Sequence, residues 1–263
     1  MKTLKLRIKD KHSKVLNQLA SEVNFVWNYV NDLCFKHLQR TGNFFSAFDI
    51  AKYTAGASKL LNLHSQSIQA ITEELVLRRK QFKKAKLRWR VSNPKSAKKS
   101  LGWIPFKASG INYQNGQVKY AGRFFGLWDS YGLSKFNIKT GRFSQDSRGR
   151  WYLNAVVETE KTATTAVDSV AIDLGLKDFA TLSNGEKIAA QQTYRQYEKK
   201  LGIAQRAKQK QRVKAIHAKI ANIRKDFLHK LSSQLVNNHA AIFVGNANAQ
   251  ALAKTKLAKS VLD

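Results

Sequence analysis

Two hydrophobic periods divide this chain. The point where one gives way to the other, at Trp103, restricts the fold more than any other feature. Beyond it apolar residues alternate with polar ones in short runs: Trp103–Phe106, Ile111–Tyr113, Val118–Tyr120, Arg123–Phe125, Lys135–Ile138 and Trp151–Val157. Turn-forming pairs separate several of them, at Asn115-Gly116, Thr140-Gly141 and Arg148-Gly149. Short alternating strands at this spacing predict a small antiparallel barrel. Leu4, Leu6 and Ile8 alternate with Lys5, Arg7 and Lys9 in the same way, so the first strand is expected to join it. The barrel then comprises residues 1–12 plus 96–160, and residues 13–95 are a helical insertion between its first and second strands. Trp103, Trp128 and Trp151 are read as barrel core.

Before Trp103 the apolar period is helical. Leu16, Leu19, Val23, Val26 and Val30 recur at three- and four-residue steps, and Cys34 falls in the last turns as a buried thiol. Thr41-Gly42-Asn43 breaks that helix, and Asp49–Leu61 reads as a short helical piece. His64–Trp89 reads as one long helix with Ser65 as its cap. Its second half carries Arg78, Arg79, Lys80, Lys83, Lys84, Lys86, Arg88 and Arg90, and no acid intervenes between Glu74 and Asp129. Such a face is either simply solvated or follows a phosphate backbone. The chain as a whole favours the second, because 47 Lys and Arg against 17 Asp and Glu leave a formal charge of +30. That excess repels itself on compaction and points to a polyanionic partner. Arg78, Arg79, Lys83, Lys84, Arg88 and Arg90 are therefore expected to contact nucleic acid.

No apolar run approaches the ~20 residues of a membrane-spanning helix, and the alternating amino terminus is no secretory signal. No membrane partner is expected, and the expected location is cytoplasmic and nucleoid-associated. A single cysteine excludes an internal disulfide and a multi-cysteine zinc site.

The polar stretch Thr159–Ala166 is the expected boundary to a further domain, residues 161–263. Val167–Ile188 predicts a hairpin of Ser169–Leu174 and Phe179–Leu182, closed by Asn184-Gly185. Asp173 sits where its first strand ends, either capping its own turn or binding a cation. Two basic helices follow, one from Tyr194 and one bearing Val213 to Leu235, and then a strand, Ala240–Val244. Asp226 is expected to pair with Lys230 one turn on. His217, His229 and His239 lack metal-ligand spacing. Asp173-Leu-Gly175 could also open the phosphate turn of an actin-like ATPase, but no second Gly-rich loop follows and the charge has the wrong sign.

The run Val170-Ala-Ile-Asp-Leu-Gly-Leu-Lys-Asp-Phe-Ala-Thr-Leu-Ser-Asn-Gly185 resembles the first nuclease motif of TnpB proteins, transposon-encoded relatives of the type V CRISPR effectors. Phe82 with its trailing basics, Trp103-Ile-Pro-Phe-Lys107, Gly149-Arg-Trp-Tyr152 and Arg224-Lys-Asp-Phe-Leu-His-Lys230 extend the likeness along the chain. The resemblance implies an α+β multidomain fold: an oligonucleotide-binding-type (wedge) β-barrel with a helical recognition insertion, followed by the amino-terminal part of a ribonuclease H-like (RuvC-type) α/β domain. It implies a guide RNA and target DNA as partners, with Lys107 added to the contact residues, and suggests no protein partner. It implies Mg2+ or Mn2+ held by Asp173, the catalytic acid of the first motif, for metal-dependent phosphodiester cleavage.

The chain departs from that pattern where Val-Glu-Asp-Leu is expected, reading Val244-Gly245-Asn246-Ala247. The family's third acid and its four-cysteine zinc ribbon would lie beyond Asp263, which is no substitute for that acid. The expectation is a carboxy-terminally truncated copy, without the zinc site, that has lost cleavage. Two alternatives stay open: a guide-RNA- and DNA-binding protein without nuclease activity, and a non-specific basic RNA-binding protein.

Overall fold

The computed structural model describes residues 1–160, 165–245 and Lys254. Its contacts divide into two compact units, Met1–Glu160 and Lys161–Asp263.

The first unit is built on a seven-stranded sheet: β1 (Lys2–Ile8), β2 (Trp103–Lys107), β3 (Ile111–Gln114), β4 (Gln117–Tyr120), β5 (Arg123–Trp128), β6 (Ile138–Gln145) and β7 (Trp151–Val157), in the order β2-β6-β7-β1-β5-β4-β3. Every pairing is antiparallel. The amino-terminal strand lies in the middle, between β7 and β5, because Leu4, Leu6 and Ile8 bury one face almost completely. The sheet curls until it is nearly closed. Phe143 of β6 meets Phe106 of β2, Tyr120 of β4 and Phe125 of β5 at ring separations of 5.5, 5.4 and 5.7 Å. The two edge strands, β2 and β3, are joined by a single helical turn, Ala108–Gly110.

Two of the expected turns behave as such. Asn115 and Gly116 both take positive φ, 49° and 71°, which is the two-residue hairpin conformation, and Gly149 has φ 86°. The third does not. Thr140-Gly141 lies inside β6, and Lys135 belongs to a helical turn ahead of it. Gly141 is small for another reason: a Cβ there would collide with the Asn154 carbonyl oxygen and the Phe106 ring. Of the three tryptophans read as core, Trp151 is fully buried and Trp103 partly so, whereas Trp128 is half-exposed under the Arg7 guanidinium, 5.1 Å from its ring centre.

Between β1 and β2 run α1 (Ser13–Thr41), α2 (Ala47–Thr54) and α3 (Ser65–Phe82). The predicted stripe of α1 is buried from Leu16 to Cys34, and Gly42 ends the helix in the left-handed conformation with φ 71°. Ser46 and Asp49 form a reciprocal capping box on α2. α3 is capped by His64 rather than Ser65, and it stops at Phe82, seven residues before the expected end at Trp89. Lys83 turns left-handed there (φ 50°), and the chain continues without regular secondary structure to β2. Helices and sheet share one continuous core.

The second unit has a four-stranded sheet: β8 (Ser169–Leu174), β9 (Asp178–Leu182), β10 (Lys187–Ala189) and β11 (Ala241–Val244), in the order β10-β9-β8-β11. The hairpin strands are antiparallel, while β11 runs parallel to β8. A parallel neighbour demands a long crossover, supplied here by α4 (Thr193–Arg206) and α5 (Lys210–Asn238). Val170, Ile172, Ala180 and Leu182 form the core of this unit, with Leu235 and Ile242 packed on it. Phe227 of α5 adds an edge-to-face contact with Phe179 at 5.3 Å.

Candidate nucleic-acid interface

The irregular segment after α3 is fixed by asparagines. Asn24, Asn28 and Asn31 lie on one face of α1 at four- and three-residue spacing. Asn31 donates to the Leu87 carbonyl (2.8 Å) and accepts from its N–H (3.0 Å). Asn28 makes the same pair with Arg90, at 2.8 Å each way. Asn24 donates to Ser92 Oγ, and the Trp27 indole N–H reaches the Arg88 carbonyl. The helix thus offers side-chain amides where a neighbouring strand would offer a backbone, and the basic segment runs along it in the opposite direction.

This arrangement opens a cleft of about 540 Å³ whose lining includes Trp27, Arg78, Phe82, Lys84, Arg88, Arg90, Trp103 and Arg142. Arg88 and Lys84 are exposed, and Phe82 is half-exposed. Arg78 is tied to Glu74, which also lines the cleft, at 2.7 Å. Arg90 is largely committed to structure: its Nε donates to Asn24 Oδ1 (2.6 Å), its Nη2 to the Leu101 carbonyl (2.7 Å), and burial lowers its pKa. Four of the expected contact residues, Arg78, Lys84, Arg88 and Arg90, therefore meet around one opening. Arg142 joins them from β6, and no local signal in the sequence marks it.

The other three stand apart from that lining. Lys83 is exposed at the end of α3, on the rim of a second pocket. Lys107 pairs with Glu73 at 2.7 Å. Arg79 does not share the solvated face of its neighbours: its side chain is turned inward, 4% exposed, with the guanidinium 4.5 Å from the Phe44 ring centre. The signal was present in the sequence, since Arg79 is in phase with the buried stripe Ile68, Ile71 and Leu75.

In the second unit Asp173 stands exposed near the end of β8, opposite Thr181. The N–H of Gly245, just past β11, bonds to the Ile172 carbonyl at 3.0 Å. A Cβ at Gly245 would lie 3.8 Å from Asp173 Oδ1. The position where the sequence pattern expects a glutamate is therefore beside the carboxylate, and a glycine occupies it. Among the described residues no group of three or more His, Cys, Asp or Glu side chains could hold a metal ion. Asn246 and Asp263 lie outside the described residues. Asp226 pairs with Lys230 at 2.8 Å, as its spacing predicts.

The OrfB_IS605 family, described as "Probable transposase", matches residues 153–256. A provisionally named RNA-guided DNA endonuclease of Streptomyces pristinaespiralis is 32% identical over 188 residues, covering 64% of this chain and 46% of its own length. The relative from Escherichia coli strain K12, InsQ, also provisionally named an RNA-guided DNA endonuclease, is 31% identical over 134 residues, 45% of this chain and 33% of its own length. This is a TnpB-like chain. It spans less than half the length of these curated relatives. The TnpB-like chain also shares its fold with a protein in the solved Cas12f1–sgRNA–target DNA complex. That match has a TM-score of 0.54 at 11% identity, over 96% of this chain and 70% of the other.

Proposed function

We propose that this chain is a nucleic-acid-binding protein of the TnpB type, which holds a guide RNA and its duplex with target DNA by backbone shape. The observation that carries this reading is the cleft of the first unit. Guanidinium and ammonium groups suited to phosphates stand there beside the half-exposed Phe82 ring, a face suited to a base or sugar, in a chain of formal charge +30. The names of the relatives support nucleic acid as the partner. In this reading the curled sheet is the oligonucleotide-binding-type barrel, α1 to α3 are its recognition insertion, and the second unit is the amino-terminal part of a RuvC-type domain.

Asp173 is the residue we assign to a divalent cation, Mg2+ or Mn2+. Cleavage through two such ions needs several converging carboxylates. The described residues do not fit that centre, because the neighbour that should supply the second acid is Gly245. The proposed function is therefore binding, and no cleavage step follows from these residues. Among the described residues no helix is long and apolar enough to cross a membrane.

Salt titration of binding to a guide–target heteroduplex tests the reading. Each lost phosphate contact flattens the log–log slope by about 1, so the Arg88→Ala, Arg142→Ala double variant should lose about 2. An unchanged slope would remove the cleft from the interface. Sequencing of copurified RNA separates the remaining alternative. A discrete species supports guide binding, whereas random RNA lost at moderate salt supports non-specific binding.

A further inference from the structure

A second pocket, of about 300 Å³, opens between the loop after α1 and the last turns of α3. Its walls are Phe44, Phe45 and Val76, and its rim carries Lys80, Lys83 and Lys84. The residue that sets its chemistry is Arg79, 4% exposed, whose Nε and Nη1 are buried with no hydrogen-bond acceptor. The Cys34 thiol lies beside it, a weak acceptor whose own pKa burial raises. No carboxylate lines the pocket. A buried cation with orphaned donors costs free energy unless a ligand supplies the acceptor. The aromatic wall is held rigidly, since Phe45 is stacked on His37 at 3.6 Å and 11°. Phe44 stays 57% exposed although it covers the arginine.

A flat face to lie on the Phe44 ring, an acceptor at its edge for Arg79 and an attached anion for the rim lysines would complement this pocket, and an unpaired nucleotide carries all three. We propose that the Phe44–Arg79 pocket receives the base of one unpaired nucleotide. The ring lies against Phe44, a ring carbonyl oxygen or nitrogen accepts from Arg79, and the flanking phosphates meet Lys80, Lys83 and Lys84. This rests on the nucleic-acid reading above and adds to it a preference for single-stranded over fully paired substrate at one position. A base inside a duplex is stacked on both faces and cannot enter. Inorganic phosphate alone would leave the aromatic wall unused.

The test is fluorescence anisotropy with the full chain and three probes of equal length: a single-stranded RNA, a blunt RNA duplex and an abasic single strand. Arginine at the pocket floor is too buried to be the first variant, so the exposed Phe44 is changed. Losing one stacked base predicts that Phe44→Ala weakens single-strand binding by about 10-fold, while the duplex and the abasic strand bind both proteins alike. Phe44→Tyr, which keeps the flat face, should bind as the parent does. Equal losses on all three probes, or no loss on any, would overturn the pocket and leave the cleft intact. A parent protein that binds none of the probes would overturn the nucleic-acid reading itself.

Discussion

His12 shows how a single side chain ties the first strand to its neighbour. Its ring accepts from the Gly126 N–H at 2.9 Å and packs edge-on to Phe125. Burial, and then the charges of Lys11 and Lys9, hold its pKa below the ordinary 6.5. The unfolded chain therefore binds this proton more readily than the folded one. The contribution is fully present above pH 6.5 and is lost as pH falls from there through the folded value. His12→Gln keeps an acceptor that does not titrate, so urea melts should show an acid-side loss in the parent that is smaller in the variant. A second residue-scale prediction concerns Gly245. Gly245→Glu would set a carboxylate beside Asp173, and in the absence of metal the repulsion should cost about 0.5–1 kcal/mol. Mn2+ should then raise the Tm of Gly245→Glu but not of Gly245→Gln; equal shifts would mean that the ion binds elsewhere. Asp173 drew notice in the sequence as a carboxylate between Ile172 and Leu174, and the structure sets it at the exposed end of β8. The inward turn of Arg79 was legible only to helical phase, which the density of neighbouring cations obscured.

Among the elements, the strands announced themselves by period and the end of α3 did not. Residues 83–90 are mostly Lys, Arg, Ala and Leu, all good helix formers, so local propensity argues for continuing the helix. What stops it is a set of partners 56 to 68 residues earlier, the asparagines of α1, and no local window contains them. Thr140-Gly141 misled for a related reason, since a glycine that permits close approach looks the same in sequence as one that permits a turn. The ladder makes a sharp prediction. Asn31→Ala leaves the buried N–H and C=O of Leu87 without partners, and should cost about 2–4 kcal/mol in urea unfolding. It should also speed tryptic cutting at Lys84, Lys86, Arg88 and Arg90 well before global unfolding. Unchanged cutting would show that Trp27 and Asn28 hold the segment without it.

For the whole molecule, charge and pattern gave different kinds of information. The +30 charge pointed to a class of partner but not to a place, because cations spread along the chain gather into a cleft only when β6 brings Arg142 beside the segment after α3. The insertion was read from a one-sided strand, β1, left unpaired by its helical neighbours, and the structure pairs it with β7 and β5. Its central position has a consequence for synthesis. Lys2 pairs with Val157, so β1 leaves the ribosome long before its main partner exists. At ordinary elongation rates that interval is roughly 10 to 30 s, during which the edge that β7 will cover stays open. The alternation of lysine and arginine along β1 repels a second copy of itself through that wait. Charges on the outer face of one short strand would therefore also guard the nascent chain against sticking to its siblings.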